Sequence, residues 1–496
     1  MDSSFRQCLA KYFFVLLIFP LAYTSFSTSY RNLHVQIYDQ FASVFVDRRL
    51  SDDQDLKFAF IDIDETAYQT WGAKPVTPRQ KLVELLKELE RRAGKAKAII
   101  VDIDTSYTQA MLEKACSDHP SDVTEDPPDR ALCEWANNYQ GSPPIILARF
   151  LEPRPDAKEG ILVAPQHSIL DRFVNPGLKR SDDHSRPTLS RGIHWATPSV
   201  AASVKDGVIR SWSLWQDVCH NGEPLVMPSV QLLSFLALWE GPSQVVDDVV
   251  DGLNANRPTV CNELRAKGAA PVVALEDGRE LDLGEGWRSQ RILYSIPWTD
   301  SSEILAPAVG DHPSILWPWR LVPTDAFSSY PATEIADLPS HAFDDRVIVI
   351  GASHQQARDQ HMTPIGMMPG AVVLINAIRS LHAMGTIKEP TSGMRDLVTA
   401  LVVLVLTGLM IGLNPKIAPC VACLAIAGAT LLLLIFYPSE GHWIDVALAG
   451  ALFFLLHAIV DLIERLCGWL LYDRRLSNPD LPSLSTDSNT TSGKSL

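Results

Sequence analysis

Four long apolar runs without a charged residue lie near the two ends of the 496-residue chain. They occupy residues 12–30, 397–413, 417–438 and 446–460. A helix needs roughly 20 apolar residues to cross a bilayer, so the runs predict one N-terminal and three C-terminal transmembrane helices. A cleaved signal peptide is the alternative for the first run, although no clean small-residue cleavage site follows it.

Basic residues at the ends of these runs predict their orientation. Lys11 precedes the first run, Lys416 separates the second from the third, and Arg465 follows the fourth, whereas the connector "SEGH" has no basic residue. The positive-inside rule then places both termini in the cytoplasm of a bacterium and the long segment between the first and second runs in the periplasm. The predicted domains are a cytoplasmic stub with the first helix (1–30), a periplasmic domain (31–393), three helices in the lipid bilayer of the inner membrane (394–464) and a short, partly disordered cytoplasmic tail (465–496).

Charge and motif content exclude several function classes. The net charge of -15 disfavours binding to nucleic acid, which requires a basic surface. No glycine-rich phosphate-binding loop occurs, and no cofactor is expected.

Cysteine positions fit an oxidising compartment. Four cysteines lie in the predicted periplasmic domain: Cys116, Cys133, Cys219 and Cys261. Four cysteines allow two disulfides in three connectivities, and the sequence leaves that choice open.

The predicted periplasmic domain has the pattern of an α/β fold. "LKFAFIDID" and "AKAIIVDID" are apolar runs typical of buried strands, and between them Leu82, Leu85, Leu86 and Leu89 mark one face of a helix, with Thr77 as its N-cap. A strand, a helix and a strand at this spacing predict a parallel pair, hence a mainly parallel central sheet. "DRVIVIGAS" is a strand too apolar to stand alone, so we expect the chain to return and complete the same sheet.

These elements and their order resemble the type-two CHASE domain, an extracellular sensory domain associated with cyclases and histidine kinases. The resemblance rests on "FIDIDE", a weakened "WGAKPVTPRQKLVELLKEL", "AKAIIVDID", "DGVIR" and "DRVIVIGASHQQARDQHMTPIGMMPGAVVLINAI", which together cover nearly all of residues 55–390. Asn376 departs from the usual pattern and puts a ligand contact there in doubt. The resemblance implies an α/β extracytoplasmic sensor domain. No kinase or cyclase module follows the apolar runs, so the output is expected from a separate partner.

Carboxylates at predicted strand ends are the candidate site residues. Asp62 and Asp64 follow the first strand, and Asp104 follows the second. Ligands bind at the carboxyl ends of parallel strands, so these aspartates predict either a ligand site or a hydrogen-bonded strand end. "FIDIDET" also fits a Mg²⁺-dependent phosphatase of the haloacid-dehalogenase type, with Asp62 as nucleophile and Asp64 as acid and base. "DDVVDG" and "FDDR" are candidates for the downstream acidic pair, but neither follows the expected order of strand and helix, which disfavours the phosphatase.

Other polar residues complete the candidate list. Arg210 and Asp359 are the remaining candidate ligand-binding residues. Arg210 is expected to pair with a carboxylate, either inside the domain or on a ligand, and Asp359 is also expected to set a turn with Thr363 and Pro364. His354 and His361 fit either exposed loop positions or metal ligands; the former reading is preferred.

Together these features predict a non-enzymatic membrane sensor that detects a periplasmic ligand or protein and signals through its helices to a separate output protein. A Mg²⁺-dependent phosphatase and a structural membrane anchor for a protein partner are the alternatives. A homodimer is a further expectation.

Overall fold

The computed structural model describes two compact units. One comprises Met1–Val35 with Pro390–Leu496, and the other comprises Gln36–Glu389. The predicted domain boundaries remain predictions. The described residues, with a few positions left out inside several ranges, are 56–106, 127–154, 160–170, 192–202, 206–239, 249–263, 272–274, 280–283, 290–298, 326–386, 392–436 and 446–465.

Strands supply most elements of the larger unit. In chain order they are β1 (Lys57–Ile63), β2 (Ala98–Val101), β3 (Ile145–Ala148), β4 (Leu151–Pro153), β5 (Val163–Pro165), β6 (Ile193–Ala196), β7 (Val200–Ala202), β8 (Ile209–Trp212), β9 (Trp215–His220), β10 (Glu223–Pro228), β11 (Val272–Ala274), β12 (Glu280–Asp282), β13 (Gln290–Arg291), β14 (Phe327–Pro331), β15 (Arg346–Ala352), β16 (Gln360–Thr363) and β17 (Gly366–Pro369). The helices are α1 (Glu65–Thr70), α2 (Arg79–Arg92), α3 (Pro127–Asn138), α4 (Val230–Trp239), α5 (Gly370–Met384), α6 (Ser392–Gly412) and α7 (Ala418–Phe436).

Six strands form the central sheet in the order β14-β1-β15-β2-β3-β6, and every neighbouring pair is parallel. The prediction of a mainly parallel α/β sheet is therefore confirmed. The late strand β15 inserts between β1 and β2, as expected for a strand that is buried on both faces.

Helices cover both faces of this sheet. Leu82, Leu86 and Leu89 of α2 join α3 residues in one core, together with the strand side chains Ala59 and Ile61. Alternate strand residues point the other way, and they join α4 and α5 in a second core that also includes Phe60 and Ile100. The period-two alternation of strand side chains therefore assigns each residue to one of the two helical layers.

Helix α2 differs slightly from its prediction. Arg79 is its first residue and Pro78 occupies the N-cap, without a side-chain hydrogen bond. Thr77 therefore lies one residue before the cap. Proline suits a helix start because its missing N–H would have no intrahelical partner there.

Smaller sheets lie between β6 and β14 in the chain. The antiparallel pair β9–β10 is one of them, and Cys219 on β9 forms a disulfide with Cys261. Cys133 is disulfide-bonded as well, whereas Cys116 lies outside the described residues.

The predicted transmembrane helices require a correction. Among the residues that the structure describes, no helix is both long enough and apolar enough to span a membrane. Helix α6 includes the charged residues Arg395 and Asp396 near its start. The first apolar run lies outside the described residues, and the fourth is described only in part. The transmembrane part of the predicted fold class is therefore wrong.

Candidate functional site

The carboxyl ends of the three central strands bring two aspartates to the same level of the sheet. Asp62 on β1 pairs in register with Gly351 on β15, and the Asp102 N–H donates to the Ile350 carbonyl on the other side of β15. Asp62 and Asp102 follow Phe60 and Ile100 by two residues, so they point to the face covered by α4 and α5. Two strand spacings separate them, which is roughly 10 Å.

The first turn of α5 lies directly over the glycine between these aspartates. A Cβ added to Gly351 would be 2.4 Å from the Cβ of Ala371 and 3.3 Å from the Phe60 ring. Only a residue without a side chain permits this approach. The positive end of a 15-residue helix therefore lies beside Asp62 and Asp102.

Asp62 is held by the residue that follows β15. Its carboxylate accepts hydrogen bonds from the Ser353 backbone N–H at 3.1 Å and from the Ser353 hydroxyl at 2.8 Å. Asp62 is 7% exposed, and such bonds compensate a buried carboxylate for the water that it has lost.

Asp359 lies where the hairpin β16–β17 meets α5. Its backbone carbonyl accepts from the Gly370 N–H at 2.8 Å, and a Cβ on Gly370 would come within 2.4 Å of Asp359 Oδ1. The same oxygen is 2.9 Å from Nε2 of His361. Asp359 therefore connects the start of α5 with a histidine that remains about one-third exposed.

Asp102 is a second nearly buried carboxyl group at this edge. It is 9% exposed. Burial raises the pKa of Asp102 well above its usual range, and the charge of Asp359 raises it further. The candidate site residues predicted from the sequence did not include Asp102. Its position two residues after Ile100 nevertheless indicates that it faces the layer of α4 and α5.

Asp64 and Asp104 have local structural partners. Asp64 is the N-cap of α1, and its Oδ1 accepts from the Ala67 N–H at 2.7 Å. Asp104 is exposed, and its Oδ1 accepts from the Ser106 N–H at 2.8 Å, which forms an Asx turn. Arg79 donates to the Asp104 carbonyl at 2.7 Å and so ties α2 to this loop.

These contacts bear on the phosphatase alternative. A nucleophile and an acid/base need carboxylates directed at a substrate, whereas the described hydrogen bonds of Asp62 and Asp64 go to Ser353 and to a helix N-terminus. Within the described ranges no group of three acidic, histidine or cysteine side chains is arranged to hold a metal ion. The phosphatase and metal readings gain no support and remain predictions.

His354 packs against α1. Its ring stacks on Tyr68 with centroids 4.4 Å apart, and the residue is 5% exposed. Burial lowers the pKa of His354, although the nearby charges of Glu65 and Asp64 act in the opposite direction. His354 is therefore a buried packing residue rather than an exposed loop position.

Arg210 belongs to another part of the unit. It lies on β8, in the sheet β13-β8-β7, and its Nη1 is 2.9 Å from Oδ2 of Asp206. The "DGVIR" motif therefore contains its own ion pair. Asp62 and Asp102 lie at the carboxyl ends of the central strands, and Asp359 lies beside the first turn of α5. Asp64 and Asp104 follow β1 and β2 by a few residues. Arg210 lies in a different sheet.

Comparison with known proteins identifies the family. No curated protein and no solved structure matches the chain. The model of the CHASE2 domain family matches residues 13–413, which is most of the chain. This family comprises extracellular sensory domains, in keeping with a sensor role. The chain belongs to the CHASE2 domain family.

Proposed function

We propose that this sensory domain detects a small extracellular stimulus at the carboxyl edge of its central sheet and passes its state to a separate protein partner. The observation that carries the proposal is the convergence of Asp62, Asp102 and Asp359 around the first turn of α5. Parallel α/β sheets bind ligands at this edge. A sensory domain also has to transmit its state, which is the reason for including a partner.

The charge of the surrounding surface favours one class of ligand. Glu65 and Asp104 are exposed, and Asp64 and Asp359 are partly exposed, so the edge presents carboxylates to solvent. A carboxylate accepts hydrogen bonds and attracts positive charge. The ligand is therefore expected to be a small compound that is cationic or rich in hydrogen-bond donors.

We also propose that this domain faces the bacterial periplasm. The disulfide between Cys219 and Cys261 supports this location, because disulfides persist in oxidising compartments and are rare in the cytosol. Alkylation of protein from intact cells, with and without prior reduction, tests it. Both cysteines should react only after reduction; immediate reaction of both would contradict the location.

Thermal unfolding of the purified chain at constant pH tests ligand binding. Wild type is compared with Asp62→Asn and with the control Gln80→Ala, an exposed change on α2. A compound at 100 times its dissociation constant should stabilise the wild type and the control by about 2.7 kcal/mol. The shift should shrink in Asp62→Asn. A panel of amines, amino acids and polyamines that shifts none of these proteins would refute the ligand class.

A further inference from the structure

We propose that Cys420 and Cys423 on α7 form a binding site for a soft monovalent metal ion, with Cu(I) as its ligand. The site belongs to the compact unit that contains α6 and α7. It goes beyond the proposed function, because it uses other residues and another chemistry than the carboxyl edge of the central sheet.

The sequence puts the two thiols on one side of a helix. They stand three residues apart in "CVAC", and α7 comprises Ala418–Phe436. Residues at this spacing are neighbours on a helix surface, with their Cβ atoms roughly 5–6 Å apart. A metal–thiolate bond is about 2.3 Å long in zinc sites, so two sulfurs at this separation can share one ion.

Both thiols are free, and both residues are exposed. Ala422, between them in the chain, is completely buried in the small core that α7 shares with Val403 of α6 and with Phe453. The buried side of α7 therefore carries alanine here, and the cysteines face outwards. Free cysteine is among the most buried residue types because it behaves as a small hydrophobic side chain. Packing does not explain an exposed pair, whereas ligand chemistry at sulfur does.

The number and type of ligands select the ion. Within the described ranges no third cysteine, histidine or carboxylate completes a metal-binding group. Zinc takes four protein ligands in structural sites and three in catalytic sites, and Ca²⁺ and Mg²⁺ require oxygen ligands. Thiolates are soft ligands that select Cu(I), and two thiolates are sufficient to coordinate this ion. A pair of thiols without further ligands therefore fits Cu(I) best.

The surface beside Cys423 is apolar. This residue lines a groove of about 480 Å³ between α7 and residues 447–454, with Ile426 and Phe454 among the other lining side chains. Thr430 supplies the one hydroxyl among the described lining residues. Hard cations such as Mg²⁺ give up their bound water reluctantly, so an apolar surface favours a soft ion that binds sulfur instead.

Binding exchanges two protons for one metal ion. Two copper–sulfur bonds form, two S–H bonds break, and both protons go to the solvent, because a thiol must lose its proton to act as a ligand. One Cu(I) and two thiols thus give a complex with a net charge of −1 and two released protons. No electron is transferred, since copper enters in its reduced state.

Titration of the full chain with Cu(I) tests the site. Ascorbate keeps the copper reduced in the absence of oxygen, and a coloured Cu(I) chelator competes for the ion. Cys420→Ser and Cys423→Ser, each alone, should weaken binding by more than about 100-fold, because loss of a mere outer-shell partner already costs 10- to 100-fold. Leu424→Ala changes a residue on the same helix that is 73% exposed, and this control should bind like the wild type. Wild-type affinity in both cysteine variants would overturn the proposal.

Alkylation read residue by residue keeps the test decisive if other sulfur groups of the chain also bind copper. One equivalent of Cu(I) should protect Cys420 and Cys423 together, whereas one equivalent of Zn²⁺ should leave both reactive. Unchanged reaction of both thiols with Cu(I) present would refute the site. Reaction only after reduction would show a disulfide in place of two free thiols and would refute it as well. These measurements use no organic ligand and no sheet-edge variant, so they can fail while the ligand panel succeeds, and the reverse also holds.

Discussion

Asn376 and Ile296 are joined by two hydrogen bonds between one side chain and one backbone unit. The Asn376 Oδ1 accepts from the Ile296 N–H at 2.8 Å, and its Nδ2 donates to the Ile296 carbonyl at 3.0 Å. The Ser295 N–H also donates to Oδ1, at 2.9 Å. Helix α5 thereby holds the segment after β13, and the departure at Asn376 from the family pattern has a structural role inside the domain.

The first prediction concerns this pair. Asn376→Ala should lower the free energy of unfolding by about 3 kcal/mol, because two buried backbone N–H groups lose their acceptor. Denaturant unfolding of the purified chain measures the change. Gln80→Ala, on the exposed face of α2, is the control and should change stability by less than about 0.5 kcal/mol. Equal stability of the two variants would contradict the role of Asn376.

The second prediction concerns the close approach of α5 to the sheet. Gly351→Ala should destabilise the protein by about 1–3 kcal/mol, because the added carbon meets Ala371 and Phe60 in a packed core. Gly94→Ala is the matched control, since an added carbon there meets no atom within 4 Å. Thermal unfolding compares the two variants. A Gly351→Ala variant as stable as Gly94→Ala would show that α5 does not approach β15 this closely.

The third prediction concerns the disulfide. Cys219 and Cys261 are 42 residues apart, and closing a loop of that length stabilises a protein by about 4 kcal/mol in the chain-entropy account. The double variant Cys219→Ser with Cys261→Ser should lose about that amount in denaturant unfolding. The double variant Cys420→Ser with Cys423→Ser changes two free cysteines and is the control. Similar losses in both double variants would contradict a stabilising bridge.

The fourth prediction concerns acid stability. Burial lowers the pKa of His194 to about 4, so the folded protein keeps this histidine neutral while the unfolded chain takes up a proton near pH 6.5. Stability from this residue is complete above pH 6.5 and is lost as the pH falls towards 4, by about 3 kcal/mol in total.

Urea unfolding at several pH values checks this dependence. His194→Gln should flatten the curve between pH 6.5 and 4, whereas the control Gln80→Ala, at an exposed position, should leave it unchanged. An unchanged slope in His194→Gln would contradict the prediction.

The amino-acid sequence by itself determined the regular elements of the sheet. Continuous apolar runs marked β1, β2 and β15, and the spacing of Leu82, Leu86 and Leu89 marked the buried face of α2, because local periodicity reports which side of an element is buried. It also located carboxylates at strand ends. The apolar runs after residue 390 wrongly predicted membrane-spanning helices, because an apolar run does not fix where a helix begins and ends.

Only the tertiary structure decided which of these carboxylates act together. The insertion of β15 between β1 and β2 brings Asp62 and Asp102 to the same level of the sheet, on either side of Gly351. The same insertion places Ser353 where it donates a hydrogen bond to the Asp62 carboxylate. Arg210 forms an ion pair with Asp206, four residues before it, in another sheet. Burial and distance set the protonation of a carboxyl group, and neither quantity exists until the strands have been ordered in space.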